Sequence, residues 1–399
     1  IAGSNPDVAA ISPDMLVLSP GVPHTIPPIQ AAKELGIPLW SEIELAYHLT
    51  ECPIIAITGT NGKTTTTALV GKLLEDAGVS AVVAGNIGKA LTLEVSTLKG
   101  RETIVAEVSS FQLECIHDFK ARVAVVTNIT PDHLDRHGTL ENYIAAKARV
   151  LENQTQADWA VLNYDDPVVR AMARGTRGKV LFFSLKEELP DGICLNGSEL
   201  VVRAGGRETK IIDRRDIFIR GDHNLENAMA ATGVAWALGL KPEQVAGTLR
   251  KFTGVAHRQE FVADVEGVRF INDSKGTNPD ASMKALAAFE EPIVLIAGGK
   301  NKGCDFTDFM AAAKPKVTEL VLVGSAADEL AQAARNQGIT NIHRTASFAE
   351  AVDTAAALAK PGDVVLLSPA CTSWDMFSSF EERGDLFKKL VRRRLQDKA

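Results

Sequence analysis

No run of the sequence approaches the ~20 consecutive apolar residues that a membrane-crossing helix needs. The N-terminus also lacks a basic flank leading into an apolar block, so neither a spanning segment nor a signal peptide is expected. Cysteine is sparse. The five residues Cys52, Cys115, Cys194, Cys304 and Cys371 are scattered, odd in number and form no C-x-x-C pair. That usage suits free, mostly buried thiols in a reducing, cytoplasmic compartment. Basic charge is not in excess either: 43 Lys and Arg stand against 50 Asp and Glu, a formal net charge of −7. Such a balance argues against nucleic acid or an anionic membrane surface as partner, and any bound phosphate must be gripped by local features. Internal repeats and low-complexity tracts are absent as well.

What is present is a chain of 399 residues, 45% apolar and 23% charged, too long for one core and expected to form two or three domains. The first ~45 residues offer one strand near Met15–Leu18, the loop Ser19–Pro23 and one helix near Ile29–Leu35, too little to bury a core alone. With Ile1 in place of a starting methionine, they read as the tail of a larger α/β unit that the chain joins partway through. From Pro53 onward, apolar strands near Ile54, Ala81, Thr103, Val123 and Trp159 alternate with helical stretches, the pattern of a mostly parallel sheet covered on both faces. Asn196-Gly197 signals a hairpin, and a long helix from about Asn224 leads to a linker at Lys251–Thr253. A second alternation begins near Phe261, turns at Glu266-Gly267, and forms a separate doubly wound α/β unit of about 145 residues. The expected division is 1–45, 46–253 and 254–399.

The strongest chemical signal is Thr58-Gly59-Thr60-Asn61-Gly62-Lys63-Thr64, set between a strand and a helix. Glycines let backbone N–H groups converge on a phosphate, the helix N-terminus adds its dipole, lysine adds a mobile cation, and the following hydroxyl suits Mg²⁺. Ile57 stands where the standard phosphate loop has its first glycine, so this loop is a shorter variant. Glu107 ends an apolar strand, a placement suited to holding Mg²⁺ directly or through water. Thr127–Gly138, containing T-P-D-H-L-D-R-H, follows another strand end and crowds charged and imidazole groups that are costly to bury unless they bind something. Taken alone, Lys147 reads as a solvated helix lysine, and Asn224 and Asn227, sharing a helix face, could read a base edge or merely cap the helix. His257-Arg258 lies at a domain join. Asn272–Asn278 and Leu367–Asp375 close strands with more hydrogen-bonding groups than ordinary turns carry.

Taken together, T-G-T-N-G-K-T, E-V-S-S-F-Q, T-P-D-H-L-D-R-H, H-N-x-x-N, H-R-x-E, N-D-S-K-x-T-N and L-S-P-A-C-x-S resemble the Mur ligase family, in order, from about Met15 to the C-terminus. The resemblance implies a UDP-substrate domain, here lacking its first strands and uracil loop, a central P-loop-type ATPase domain and a C-terminal amino-acid-binding domain. It implies an ATP-dependent ligase that joins two small molecules, UDP-N-acetylmuramoyl-L-alanine and D-glutamate, as a cytoplasmic monomer. Lys63 and the loop Gly59, Thr60, Asn61, Gly62, Thr64 and Thr65 would take the ATP phosphates, with Asn224, Asn227, Arg258 and Asp273 as further nucleotide contacts. Thr64, Glu107, His133 and Lys147 would serve Mg²⁺, Lys147 as a CO₂-derived carbamate. Ser19, Asn86 and His133 would meet the UDP-substrate; Lys302, Ser373 and Phe377, with Lys275 and Thr277 nearby, would meet D-glutamate. Two alternatives remain at this point: a sibling ligase adding a diamino acid, or a folylpolyglutamate-type enzyme; and a nucleotide-binding module without catalysis. A D-N-P-R-type diamino-acid signature is absent.

Overall fold

The structure, a computed structural model, describes residues 5–87 and 89–397, without the side chains of Asp135 and of the last two residues of the final helix. Ile1 and the Asp135 side chain, both part of the sequence argument, therefore lie outside the described residues. The chain divides into two compact units, Ile1–Phe252 and Thr253–Ala399.

The first unit opens with β1 (Leu16–Leu18) and β2 (Leu39–Ser41), a parallel pair in the register Leu16↔Leu39 and Leu18↔Ser41. The sequence predicts one strand and one helix over these residues; the structure adds β2 and the helix Glu42–His48. A three-residue strand is too short to show periodicity, and its existence depends on a partner more than twenty residues away. Ser41 caps that helix by accepting from the Glu44 N–H. Glu44 itself is fully buried. Its carboxylate accepts from the backbone N–H groups of His117, Asp118 and Phe119, and lies 3.0 Å from His48 Nε2. This buried anion, satisfied by backbone donors, ties the N-terminal segment to the chain that follows Cys115.

A nine-stranded sheet forms the body of the unit: β3 (Ile54–Thr58), β4 (Ala81–Gly85), β5 (Thr103–Glu107), β6 (Val123–Val126), β7 (Trp159–Asn163), β8 (Lys179–Phe183), β9 (Gly192–Asn196), β10 (Glu199–Ala204) and β11 (Arg207–Asp213). The spatial order is β11-β10-β9-β8-β7-β6-β3-β5-β4, parallel from β4 to β9 and antiparallel beyond. Every residue of β3 is buried because helices cover both sides, and its side chains alternate between two cores. Ile55 and Ile57 join Leu69, Val70, Leu73 and Leu74 of the helix Lys63–Asp76. Ile54 and Ala56 join Ile43 and Tyr143 on the other face. The connections reverse direction beside β3: β4 and β5 lie to one side, β6 and the later strands to the other. In open α/β sheets that reversal leaves a crevice at the strands' carboxyl ends. The Asn196-Gly197 hairpin forms as the sequence predicts.

In the second unit, β12 (Glu260–Val265) and β13 (Val268–Asn272) form a hairpin whose turn residues Glu266 and Gly267 both have positive φ. With β14 (Ile293–Gly298), β15 (Val317–Val323), β16 (Ile342–Arg344) and β17 (Val364–Leu367), they make a sheet of order β12-β13-β17-β14-β15-β16, parallel except for β12. Leu295 and Leu366 face one core and Ile296 and Leu367 the other, so this sheet too is doubly wound. Both units are therefore the mixed, mostly parallel α/β folds the sequence predicts.

Replacing Glu44 by Ala would leave three backbone donors, one fully buried and two partly so, without their acceptor, a loss of roughly 3 kcal/mol for the first unit, while Glu44→Gln, which keeps one carbonyl oxygen, would cost less. Urea unfolding followed by a probe in the first unit reads the difference; an unchanged midpoint in the alanine variant would show that this carboxylate carries no structural load.

Candidate functional site

The site of the first unit begins where β3 ends. The helix Lys63–Asp76 starts from Gly62, whose φ of 82° is left-handed, and Gly59 is also in a positive-φ conformation. Close approach makes glycine necessary at both: a Cβ on Gly59 would collide with the Thr127 hydroxyl, and one on Gly62 with the Asn227 carboxamide. Thr60 N and Asn61 N donate to Asn128 O (2.8 Å) and Asn128 Oδ1 (2.9 Å), and Thr127 Oγ1 donates to Asn61 O (2.6 Å). The phosphate-type loop is thus held open by the residues that follow β6. Lys63 Nζ curls back to donate to Gly59 O (3.0 Å) and Thr60 O (2.8 Å). Thr64 and Thr65, in the first helical turn, are nearly buried.

Lys147 is the largest departure from a residue-by-residue reading. Far from solvated, it is 2% exposed. Its helix, Leu140–Ala148, aims Nζ at Gly59 O (2.8 Å), 3.4 Å from Thr58 Oγ1 and 4.8 Å from the Tyr143 ring centre. Burial, and after it repulsion from Lys63, bring its pKa down to about 7; Asp132 and Glu107 pull the other way without prevailing. Tyr143, which sequence reasoning missed, stands one turn earlier on the same face, its hydroxyl 3.0 Å from Thr60 Oγ1. The i, i+4 spacing of Tyr143 and Lys147 was the available signal.

Glu107 closes β5 and is 2% exposed. Asn86 Nδ2 donates to its Oε1 (2.9 Å), whereas Oε2 is buried with no hydrogen-bond partner. A buried carboxylate oxygen without a donor demands an explanation, and a hard cation supplies one. Thr64 on the adjacent helix and the field of Glu107 and Asp132 at Lys147 fit that demand. His133, at φ 51°, leads into the short helix Leu134–His137 with its side chain half-exposed, its ring 4.9 Å from that of Phe111. Asn227 accepts from Thr66 Oγ1 (3.2 Å) and donates to Asn224 Oδ1 (3.3 Å), so this pair backs the loop; the helix cap is Gly221. Ser19 is exposed at the end of β1, its carbonyl accepting from Val22 N.

The remaining predicted residues lie in the second unit, at the carboxyl ends of three adjacent strands. Asp273, after β13, is buried and accepts from Ser368 Oγ (2.8 Å) and Gln259 N (3.2 Å); desolvation lifts its pKa to about 7. Arg258 is half-buried nearby and opposes that rise. Lys300 and Thr372 exchange backbone hydrogen bonds, joining the loops after β14 and β17. Those loops carry Lys302, whose Nζ lies 4.5 Å from the Trp374 ring centre, and Ser373, whose hydroxyl is buried without a partner. Lys275 places Nζ 5.8 Å from the centre of the Phe380 ring, and Thr277 N donates to Lys275 O. Phe377 instead packs edge-on against Phe348 at 5.2 Å. Phe380 escaped sequence reasoning, as did Arg383, a fully buried guanidinium that donates to Ser274 Oγ and O and to Cys371 O. Nothing in the spacing around Arg383 distinguishes it from the other charges of the final helix.

With this geometry in hand, two family models match the chain: the Mur ligase middle domain over residues 57–235 and the Mur ligase glutamate ligase domain over residues 257–371. A UDP-N-acetylmuramoylalanine–D-glutamate ligase of Pelotomaculum thermopropionicum is 54% identical over 98% of this chain and 86% of its own length. The enzyme of the same name from Desulfitobacterium hafniense strain Y51 is 55% identical over 100% and 87%. Among solved structures, a UDP-N-acetylmuramoyl-L-alanyl-D-glutamate–2,6-diaminopimelate ligase superposes with a TM-score of 0.64 at 20% identity, over 94% of this chain and 92% of its own. The UDP-N-acetylmuramate-alanine ligase of Thermotoga maritima gives 0.63 at 22%, over 96% and 86%. At those identities the structural likeness concerns the fold.

Two outcomes follow from the loop geometry. Gly62→Ala forces a left-handed alanine against Asn227 and is expected to weaken ATP binding by about tenfold; competition with a fluorescent nucleotide measures it, and wild-type affinity would remove the loop's shape from the argument. In bicarbonate-free buffer, NMR titration of lysine-labelled protein should show one resonance, missing in Lys147→Ala, that is charged below and neutral above a midpoint near 7. Lys63→Met, which deletes the repelling cation, should move that midpoint upward; a downward move would contradict the electrostatic assignment.

Proposed function

The chain belongs to the Mur ligase family, and from that premise we propose that it joins the L-alanine carboxyl of UDP-N-acetylmuramoyl-L-alanine to the amine of D-glutamate at the expense of ATP, a step of peptidoglycan precursor synthesis. The observation that carries the reading is the convergence of Lys63 and Lys147 on the Gly59 carbonyl, within electrostatic reach of Glu107, whose Oε2 is buried without a partner. The relatives' names favour D-glutamate over a diamino acid as the incoming amine.

A carboxylate is a poor acyl donor. In this reading its oxygen attacks the γ-phosphorus of ATP, the bond to the β-bridging oxygen breaks, and ADP departs. The neutral amine of D-glutamate then attacks the acyl carbon, phosphate leaves with the bonding pair, and the nitrogen loses a proton. The protein's task is to hold several anions together, which is positioning and electrostatic stabilisation. Loop N–H groups and Lys63 receive the phosphates, with Thr60, Asn61 and Thr65 shaping the cradle. Asn224, Asn227, Arg258 and Asp273 are proposed nucleotide contacts. Ser19, Asn86 and His133 are proposed to face the UDP-substrate; Lys275, Thr277, Lys302, Ser373 and Phe377 to receive D-glutamate. Family members use ATP and Mg²⁺ in general; here Thr64, Glu107, His133 and Lys147 would hold the cation, which supplies charge neutralisation for the transferring phosphoryl group.

Lys147 fits that last role as a carbamate. Its neutral nitrogen would attack CO₂ and release one proton, converting a buried cation into a carboxylate-like group. A pKa near 7 leaves much of the amine neutral at ordinary pH, the form that reacts. The domain reading stays threefold: 1–45 for part of the UDP-substrate domain, 46–253 for ATP and 254–399 for the amino acid. We place the protein in the cytoplasm, as a monomer; no helix among the described residues is long and apolar enough to cross a membrane.

An acceptor panel tests the reading: ADP release should depend on D-glutamate, with the amide product confirmed by mass, and preference for L-lysine or diaminopimelate would defeat it. Lys147→Ala should lower turnover by at least about a hundredfold, the scale of a lost charge-stabilising group, and formate or acetate should restore part of it. Full activity in the alanine variant would take Lys147 out of the chemistry.

A further inference from the structure

Behind Phe111 lies a charged cluster that none of the proposed roles uses. Its centre is Glu114, just past the short helix Ser110–Leu113, with a side chain 18% exposed. Three groups from two parts of the first unit, the 19–24 loop and the helix Leu134–His137, converge on this carboxylate. Arg136 Nη2 donates to Oε2 at 2.9 Å, His24 Nε2 lies 3.4 Å from the same oxygen, and His137 Nδ1 lies 3.4 Å from Oε1. Arg136 and His137 also reach outward. Arg136 Nη1 donates to Pro20 O at 3.3 Å, beside Ser19, and its guanidinium lies 4.6 Å from the centre of the Phe111 ring. That ring contacts both His133 (4.9 Å) and His137 (5.4 Å). His137 is buried, and its Nε2 lies 2.9 Å from Ser110 Oγ. With the proton on Nδ1, facing the carboxylate, Nε2 is left to accept from that hydroxyl.

Glu114 and Arg136 therefore couple the 19–24 loop to the turn that presents His133. On the function proposed above, these are two of the three places that meet the nucleotide-sugar, Asn86 being the third: one holds the body of the molecule, the other the end where its carboxylate reacts. A long substrate gripped at two points needs those points at a fixed separation, or binding energy is spent on restoring it. We infer that Glu114 and Arg136 are positioning residues that set the register between the nucleotide-sugar loop and the His133 turn, and so tune recognition of that substrate and not of ATP. The inference rests on the proposed function for the identity of the substrate. Among the described residues, neither side chain is hydrogen-bonded or ion-paired to the phosphate-type loop, so both substitutions leave the ATP cradle's own contacts in place.

The test uses Glu114→Gln, which keeps shape and removes charge, and Arg136→Met, which keeps an apolar stem of similar length and removes both hydrogen bonds. For each, KM is measured for UDP-N-acetylmuramoyl-L-alanine, ATP and D-glutamate. The expected result is a rise of about tenfold in KM for the nucleotide-sugar, with kcat and the KM for ATP within about threefold of wild type, the signature of lost ground-state positioning. A merely structural role would lower kcat with the fraction of folded protein and leave every KM unchanged; that result overturns the inference, as does an unchanged nucleotide-sugar KM in both variants. Should Glu114→Gln fail to fold, Arg136→Met alone decides. Calorimetric binding of the nucleotide-sugar without ATP keeps the two readings apart. Wild type that binds it but makes no product defeats the proposed function, while equal binding by wild type and both variants defeats this inference.

Discussion

Everything at the first unit's site depends on one carbonyl. Gly59 O accepts from both Lys63 Nζ and Lys147 Nζ, so two amines are brought together where water has largely been removed. Like charges at that range in a poorly screened space repel strongly, and the arrangement is tolerable in two ways: one amine gives up its proton, or anions arrive. Lys147 is deeply buried, and its pKa falls to about 7. The same tension makes the space receptive to a polyphosphate, since binding would relieve a cost the protein already carries. The convergence itself needs a backbone that bends sharply without side chains, which Gly59 and Gly62 provide by lying against Thr127 and Asn227.

A similar economy governs the buried carboxylates, which meet three different fates. Glu44 is surrounded by backbone N–H groups and serves as a clamp. Asp273 has few donors and full burial, so its pKa rises to about 7. Glu107 keeps one oxygen satisfied by Asn86 and the other bare. Donor count separates the structural anion from the proposed cation ligand more clearly than burial does, because the desolvation cost is shared and only its compensation differs. Among the described residues, Glu44, His48 and Asp118 also form a cluster with metal-compatible spacing. Glu44 has already spent its acceptor capacity on the chain itself.

In the second unit, strand-end loops are organised from behind by a buried guanidinium. Arg383 binds Ser274 and the Cys371 carbonyl together, and the Lys300–Thr372 bridge joins the neighbouring pair of loops. The parallel sheet places these loops side by side, and those contacts decide which side chains emerge. This is why Phe380 rather than Phe377 comes to stand beside Lys275, although both are phenylalanines of the same segment.

Alternating apolar strands, glycines at sharp turns and a lysine at a helix start are local properties, and they alone determined the α/β class, the strand positions from β3 to β7, both hairpin turns and the phosphate-type loop. Motif order over the length of the chain determined the family as well. What required the tertiary structure was every property set by neighbours distant in sequence. Leu39–Ser41 is a strand only because Leu16–Leu18 pairs with it, Lys147 is a weakly basic amine only because β3 and Lys63 enclose it, and Glu114 is a hub only because residues 24, 136 and 137 fold onto it. Spacing along a chain encodes which face a residue occupies. Burial, proton affinity and the filling of a hydrogen-bond acceptor are consequences of what stands opposite, and that is decided when the elements pack.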